Sequence, residues 1–310
     1  MNSNSAKTLG SALFSLSIAV AAMNTPAAFA QEVENTRYSP QGRLIAREVG
    51  NEFGDGLFEV RTYDPEPSVA EFSKATIFYP LTLSFAPSFG AVAFVPGYRG
   101  TQEIYNWWGP TLASLGIAVM IIDTNQPEDS LEARKQALVA AIEFLQNENS
   151  ESDSPIQGKL DTSKFAIMGH SLGGGAALHA AITLGDSIKA VIPLSPYCCE
   201  LGQSFEADFG SLTVPTLIFV SAEDNIAPPE QHAKVLYDAI SDSTRKAYLE
   251  FVTGDHMIAT NDGPDLESLA RYTYAWLKTH FDEDPRYMAP FSGELDDEYA
   301  AKFSRFESTQ

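Results

Sequence analysis

The sequence predicts an α/β fold, with one mostly parallel central sheet and helices on both faces. Two observations predict it. Short apolar runs recur through the middle of the chain, too continuous for a sheet with one wet face. Helical stretches separate them, the alternation that parallel β-α-β units require. No internal repeat or Gly/Ser-rich linker divides the 310 residues, so one main domain is expected.

The segments justify this reading in order. Residues 1–30 contain no Asp or Glu, take a modest positive start from Lys7, and carry an apolar run from about Leu9 to Met23. They close on Ala28-Phe29-Ala30, a small-residue cleavage pattern, which together reads as a secretory signal peptide. The competing reading, a membrane anchor, meets an apolar run that is too short and too rich in Ser, Gly and Ala. Residues 31–52 form a polar N-terminal segment, and the domain proper spans 53–287.

Within the domain, Leu57–Thr62 and Lys74–Tyr79 are strand-like, and Gly90–Val95 is a buried strand closed by Pro96-Gly97. Trp107–Leu115 reads as a helix and Ile117–Ile122 as a second buried strand. Residues 129–146 are helical, because Leu138, Ala141, Ile142 and Leu145 share one face. Lys164–Met168, Lys189–Leu194, Thr216–Val220 and Lys246–Val252 continue the strands. Residues 172–184, Pro229–Ile240 and Leu266–Phe281 supply the helices between and after them. Residues 288–310 read as an acidic tail over the domain, fraying beyond Gly293. No long insertion separates the core segments, so a lid is not expected.

Charge excludes several function classes. The net charge is −21, from 41 acidic and 20 basic side chains, so a phosphate backbone is repelled and nucleic-acid binding is not expected. No polybasic membrane patch is present. The acidic clusters at 282–284 and 294–298 match no ion-binding loop, and the excess reads as a solvated surface with no metal. The two cysteines, Cys198 and Cys199, are adjacent, which excludes a zinc-finger framework. A vicinal disulfide between them would be strained, because neighbouring Cα atoms lie about 3.8 Å apart. That bridge and a pair of thiols stay open as alternatives.

Gly169-His170-Ser171-Leu172-Gly173 fits G-x-S-x-G, follows the apolar run Phe165–Met168, and precedes a helix. A strand–turn–helix setting is what a nucleophile elbow needs, because it lifts the serine hydroxyl out of the sheet. Gly169 and Gly173 let the sharp turn approach neighbouring backbone. The base and acid should follow the serine in the order acid, then histidine. His170 adjoins Ser171 and should point elsewhere; His179, His232 and His280 lie on predicted helices. His256 remains, in the loop after the last predicted strand. Asp224 follows strand Thr216–Val220 and is the expected acid, with Glu223 as the nearest rival. The oxyanion donors are the main-chain amides of Leu172, directly after the nucleophile, and Tyr98, in the loop after Gly90–Val95.

These residues resemble the secreted bacterial cutinases and polyester (PET) hydrolases of the α/β-hydrolase superfamily. The likeness runs from about Phe53 to Tyr287, through Val95–Tyr98, Trp107–Gly116, Ile122–Asn125, Met168–Gly175, Val214–Phe219, Glu223–Pro228, Gly254–His256 and Arg286-Tyr287. The resemblance implies an α/β-hydrolase fold, Ser171, Asp224 and His256 as triad, and Tyr98 and Leu172 as oxyanion donors. It further implies a substrate cleft walled by Tyr98, His170, Tyr197, Ile226 and Met257. Three positions depart from the usual pattern: Leu172 replaces Met, Tyr197 replaces an aromatic that is usually Trp, and Met257 is bulkier than usual. Ser221 and Ile258 stand where some members carry a disulfide.

The expected function is a secreted or periplasmic serine carboxylester hydrolase, monomeric and without a cofactor, acting on esters that include polymers. A general esterase or lipase for short soluble esters is the alternative within the enzyme class. A non-catalytic binding module on the same scaffold is the alternative outside it.

Overall fold

Burial on both faces explains why the strands in the middle of the chain are apolar without alternation. The computed structural model describes residues 40–82, 88–198, 208–292 and 297–309. The described strands are β1 (Glu59–Tyr63), β2 (Lys74–Leu81), β3 (Phe89–Val95), β4 (Ala118–Asp123), β5 (Leu160–His170), β6 (Ala190–Leu194), β7 (Thr216–Ser221), β8 (Lys246–Phe251) and β9 (Phe303–Ser308). They form one sheet in the order β1-β2-β4-β3-β5-β6-β7-β8-β9. β3 pairs in parallel with β4 and β5, and the parallel run continues through β8. β2 is antiparallel to both of its neighbours.

The helices are α1 (Pro40–Phe53), α2 (Trp108–Ser114), α3 (Leu131–Ser150), α4 (Leu172–Leu184), α5 (Ala233–Ala239), α6 (Leu266–Asp282) and the single turn α7 (Asp297–Ala300). Alternate residues of β3 enter opposite cores. Val92 and Phe94 pack with Ile45 of α1, Trp108 and Leu112 of α2, and Trp276 of α6. Ala91, Ala93 and Val95 pack with Leu138 and Leu145 of α3 and Leu178 of α4. The α/β-hydrolase fold expected from the sequence is therefore the one observed.

Two expectations are corrected. The polar segment 31–52 contains α1, which starts with Pro40 at a position where a missing N–H costs nothing. Ile45, Ala46 and Val49 are buried from this helix, and Phe53 packs partly buried against the same core; they are too few to stand out in a polar stretch. Its C-terminal end is tied down by polar contacts: Arg271 Nε donates to Glu52 at 2.6 Å, and the Tyr274 and Tyr287 hydroxyls donate to Asp55 at 2.8 and 2.6 Å.

The expected fraying tail is likewise corrected, because β9 closes the sheet antiparallel to β8. Phe303 anchors it, packing on Phe251 and Tyr272 at ring distances of 4.9 and 5.3 Å. Residues 1–30, expected to be a signal peptide, and residues 293–296 lie outside the described residues.

The chain crossings leave the C-terminal ends of β3, β5, β6, β7 and β8 along one edge. The loops that follow these five strands meet there, at the edge where open α/β sheets place their sites.

Candidate active site

Ser171 stands between β5 and α4 with φ 56° and ψ −122°, a backbone conformation costly for any residue with a side chain. Close packing holds it there. A Cβ at Gly169 would fall 2.2 Å from the Gly173 carbonyl oxygen, and one at Gly173 would fall 2.5 Å from the Pro96 oxygen. Only glycine fits either place. Hydrogen bonds fix the turn further: Ser171 N–H donates to Leu194 O at 2.9 Å, and Tyr197 N–H donates to Ser171 O at 2.9 Å.

The loops after β7 and β8 bring two more side chains to Ser171. Ser171 Oγ lies 2.7 Å from His256 Nε2, and His256 Nδ1 lies 2.8 Å from Asp224 Oδ2. All three residues are buried. A carboxylate can only accept, so His256 carries its proton on Nδ1 and presents a lone pair at Nε2 to the serine hydroxyl. Asp224 Oδ1 accepts the amides of Ile226 and Ala227 at 2.9 and 2.8 Å, which orients the carboxylate independently of the imidazole. Asp224, not the exposed Glu223, faces the imidazole.

Ser221 has a part that the sequence does not reveal. Its hydroxyl donates to Gly254 O at 2.6 Å and accepts the Glu223 amide at 3.2 Å, so it joins the loop carrying Asp224 to the loop carrying His256.

Leu172 is the first residue of α4, where amides lack partners within the helix and the helix dipole is positive. The loop after β3 presses against the elbow: a Cβ at Gly97 would lie 3.0 Å from Ser171 Cβ. Tyr98 is the next residue in that loop.

The residues expected to wall the cleft divide into two groups. Tyr98, Ile226 and Met257 are exposed, at 54%, 61% and 38%, although all are apolar or aromatic. Tyr197 is half-buried and stacks on His232, with ring centroids 4.4 Å apart and planes at 28°. Burial lowers the pKa of that histidine, which favours the neutral ring. His232 was not singled out from the sequence: it is 35 positions from Tyr197, and no local pattern links them.

His170 is the correction. It is fully enclosed and does not face the cleft; its Nδ1 lies 2.7 Å from the Tyr105 hydroxyl and its Nε2 lies 2.7 Å from the His256 carbonyl oxygen. The elbow that turns Ser171 outward turns its neighbour inward.

Cys198 donates its amide to His232 Nδ1 at 3.4 Å. Cys199 lies outside the described residues, and the vicinal disulfide with it. Among the described residues no cluster of three or more His, Cys, Asp or Glu side chains could hold a metal. Asp282 instead pairs with Lys164 at 2.9 Å, and Asp284 with Arg286 at 2.6 Å.

The profile of the PET hydrolase-like family (PETase) matches residues 50–309, nearly the whole of the described chain. The chain belongs to this family. Cutinase est1 of Thermobifida alba is 38% identical over 218 residues, covering 70% of this chain and 68% of that protein. Bis(hydroxyethyl) terephthalate hydrolase of Streptomyces coelicolor is 35% identical over 220 residues, covering 71% and 66% respectively. A cutinase of Thermobifida fusca is 38% identical over 218 residues, covering 70% and 63%. The match thus extends over about two thirds of each relative. The enzyme is a cutinase-like serine ester hydrolase of the PET hydrolase-like family.

Proposed function

We propose that the enzyme cleaves bulky carboxylic esters, polyesters with aromatic units among them, through an acyl-enzyme on Ser171. His256 Nε2 takes the Ser171 proton as Oγ attacks the ester carbonyl. The tetrahedral oxyanion is held by the Tyr98 and Leu172 amides. The C–O bond to the alcohol then breaks, and His256 returns the proton to the leaving oxygen. A water molecule, deprotonated by His256, attacks the acyl-enzyme and releases the acid with Ser171 restored. Asp224 keeps Nδ1 protonated throughout and offsets the imidazolium charge. No cofactor enters the scheme.

The observation that carries this reading is the unbroken chain from Ser171 through His256 to Asp224 beside an exposed rim of Tyr98, Ile226 and Met257. An open apolar rim suits a flat or polymeric ester, which a closed pocket would exclude. Tyr197, backed by His232, offers a ring face for an aromatic acyl group. An aromatic acyl group also agrees with the terephthalate ester in the name of the Streptomyces coelicolor relative. One chain supplies all three residues of the hydrogen-bonded chain, so the enzyme is expected to work as a monomer. No helix among the described residues is long and apolar enough to cross a membrane. Together with the leader-like residues 1–30, this supports export to the periplasm or the medium.

The test compares acid release from an insoluble aromatic polyester film with hydrolysis of a soluble butyrate ester, using Ser171→Ala as blank. Activity on both, lost in the blank, supports the polymer reading. Activity on the soluble ester alone leaves a general esterase. If neither is cleaved and a phosphonate probe fails to label Ser171, a binding role takes its place.

A further inference from the structure

The reaction proposed above uses the ring of His256, and that ring is held by more than Asp224. The main-chain carbonyl of His256 receives a bond from His170 Nε2 at 2.7 Å. A carbonyl oxygen only accepts, so His170 Nε2 must carry a proton. Burial holds the His170 pKa at about 3, so the ring is neutral and its Nδ1 is a bare acceptor. The group facing that acceptor is the Tyr105 hydroxyl, at 2.7 Å, which must therefore donate. The Tyr105 oxygen in turn accepts the Gly97 amide at 3.4 Å. Every donor and acceptor in this chain is assigned by chemistry alone: Gly97 N–H to Tyr105, Tyr105 O–H to His170, His170 N–H to the His256 carbonyl.

The chain joins the two halves of the reaction centre. Gly97 precedes Tyr98, whose amide is one of the two proposed oxyanion donors. His256 is the general base. Both Tyr105 and His170 are buried, within 2% exposure. The Tyr105 ring also packs on Phe94 of β3 at 4.8 Å, so the hydroxyl is carried by a rigid element.

We propose that Tyr105 and His170 are positioning residues: a buried polar strut that sets the His256 main chain, and with it Nε2, against Ser171 and the oxyanion loop. The inference rests on the acyl-enzyme reading of Ser171. Tyr105 selects the His170 tautomer. Without its hydroxyl, Nδ1 is left as a buried unpaired acceptor, or the proton moves to Nδ1 and a lone pair then faces the His256 carbonyl. Either outcome releases the loop after β8. Misplacing a catalytic group by about 1 Å costs on the order of 10²-fold in rate.

The test measures kcat and KM for a soluble butyrate ester with Tyr105→Phe, His170→Leu, His170→Gln and the double variant Tyr105→Phe/His170→Leu. Tyr105→Phe keeps the ring and removes only the hydroxyl. The expected result is a fall in kcat of about 10- to 100-fold with KM within about twofold. The double variant should be no slower than His170→Leu, because both changes cut one chain. His170→Gln, whose amide can both donate to the carbonyl and accept from Tyr105, should recover most of kcat. In proton NMR, the low-field resonance of the proton between His256 and Asp224 should broaden or shift in Tyr105→Phe. If Tyr105→Phe melts earlier yet keeps kcat and that resonance, the strut only stabilises the fold and the proposal is overturned. If His170→Leu fails to fold, the Tyr105→Phe result decides. An inactive wild-type enzyme, unlabelled by phosphonate, would instead sink the acyl-enzyme reading itself.

Discussion

Asp224 commits each of its carboxylate oxygens to a different task. Oδ1 accepts two amides of its own loop and Oδ2 meets His256. Replacing it with asparagine keeps the size and the Oδ1 bonds, but turns an NH₂ group toward Nδ1. The imidazole then moves its proton to Nε2, where it can no longer accept from Ser171. Asp224→Asn should therefore lower kcat by about 10⁴-fold with little change in KM or melting temperature. Steady-state kinetics beside a thermal melt checks this; a loss below tenfold would mean that Glu223 or water substitutes for it. Ser171, Asp224 and His256 were legible in the sequence for one physical reason: each follows an apolar strand within a few residues, and strand ends in a parallel sheet converge. Tyr105, Ser221 and His232 were not legible. Their partners lie 65, 33 and 35 positions away, and only the assembled sheet joins them. His170 was placed on the cleft wall by the family resemblance alone; its position beside Ser171 had already pointed it elsewhere, and its burial against Tyr105 and the His256 carbonyl agrees with that.

At the scale of elements, the first turn of α4 shapes the cleft through what it lacks. A Cβ at Gly175 would lie 2.3 Å from the Tyr197 carbonyl oxygen, and that atom belongs to backbone that cannot swing aside cheaply. Gly175→Ala should push residues 196–198 away from the elbow. The expected cost is about 1–3 kcal/mol of stability, with a larger loss of activity on aromatic polyester than on a short soluble ester. Equal losses on both substrates would sink the link to the Tyr197 wall. At the other end of the sheet, β9 depends on Phe303, the most buried of its side chains. Phe303→Ala should destabilise by about 3 kcal/mol, read as a lower urea midpoint, while kcat per folded molecule holds. The central strands were legible because burial on both faces writes itself as unbroken apolar sequence. β9 and α1 were not. β9 buries one face at one end only, and its polar residues are held by ion pairs such as Arg305 with Glu230 at 2.8 Å. α1 is fixed by Glu52 and Asp55, acidic residues that read as solvated until Arg271, Tyr274 and Tyr287 are placed beside them.

For the whole molecule, charge and burial act on stability in different pH ranges. The chain carries a net charge of −21, so neutralising carboxylates relieves self-repulsion, but carboxylic acids ordinarily titrate only near pH 4. Two desolvated histidines act earlier. Desolvation lowers His170 to about 3 and His280 to about 4, against about 6.5 when unfolded. Between those values the unfolded chain binds protons that the folded chain refuses. Stability from these two residues is therefore fully present above about pH 6.5 and is lost as pH falls toward their folded values. From pH 7.5 to 5.5 each histidine should contribute a loss of roughly 1 kcal/mol, for an observable fall in melting temperature of several degrees. His280 lies at the end of α6, half-buried beside Lys189 and Pro215, which precede β6 and β7 at the sheet edge opposite Ser171, so it can be changed without touching the reaction centre. His280→Gln, neutral at every pH, should remove about half of the slope measured by urea denaturation at pH 7.5 and 5.5. Added salt should raise stability at both pH values and leave the slope nearly intact, because a desolvated imidazole is poorly screened and the surface carboxylates are well screened. A slope that vanished in salt would assign the pH dependence to the acidic surface and remove it from the two histidines.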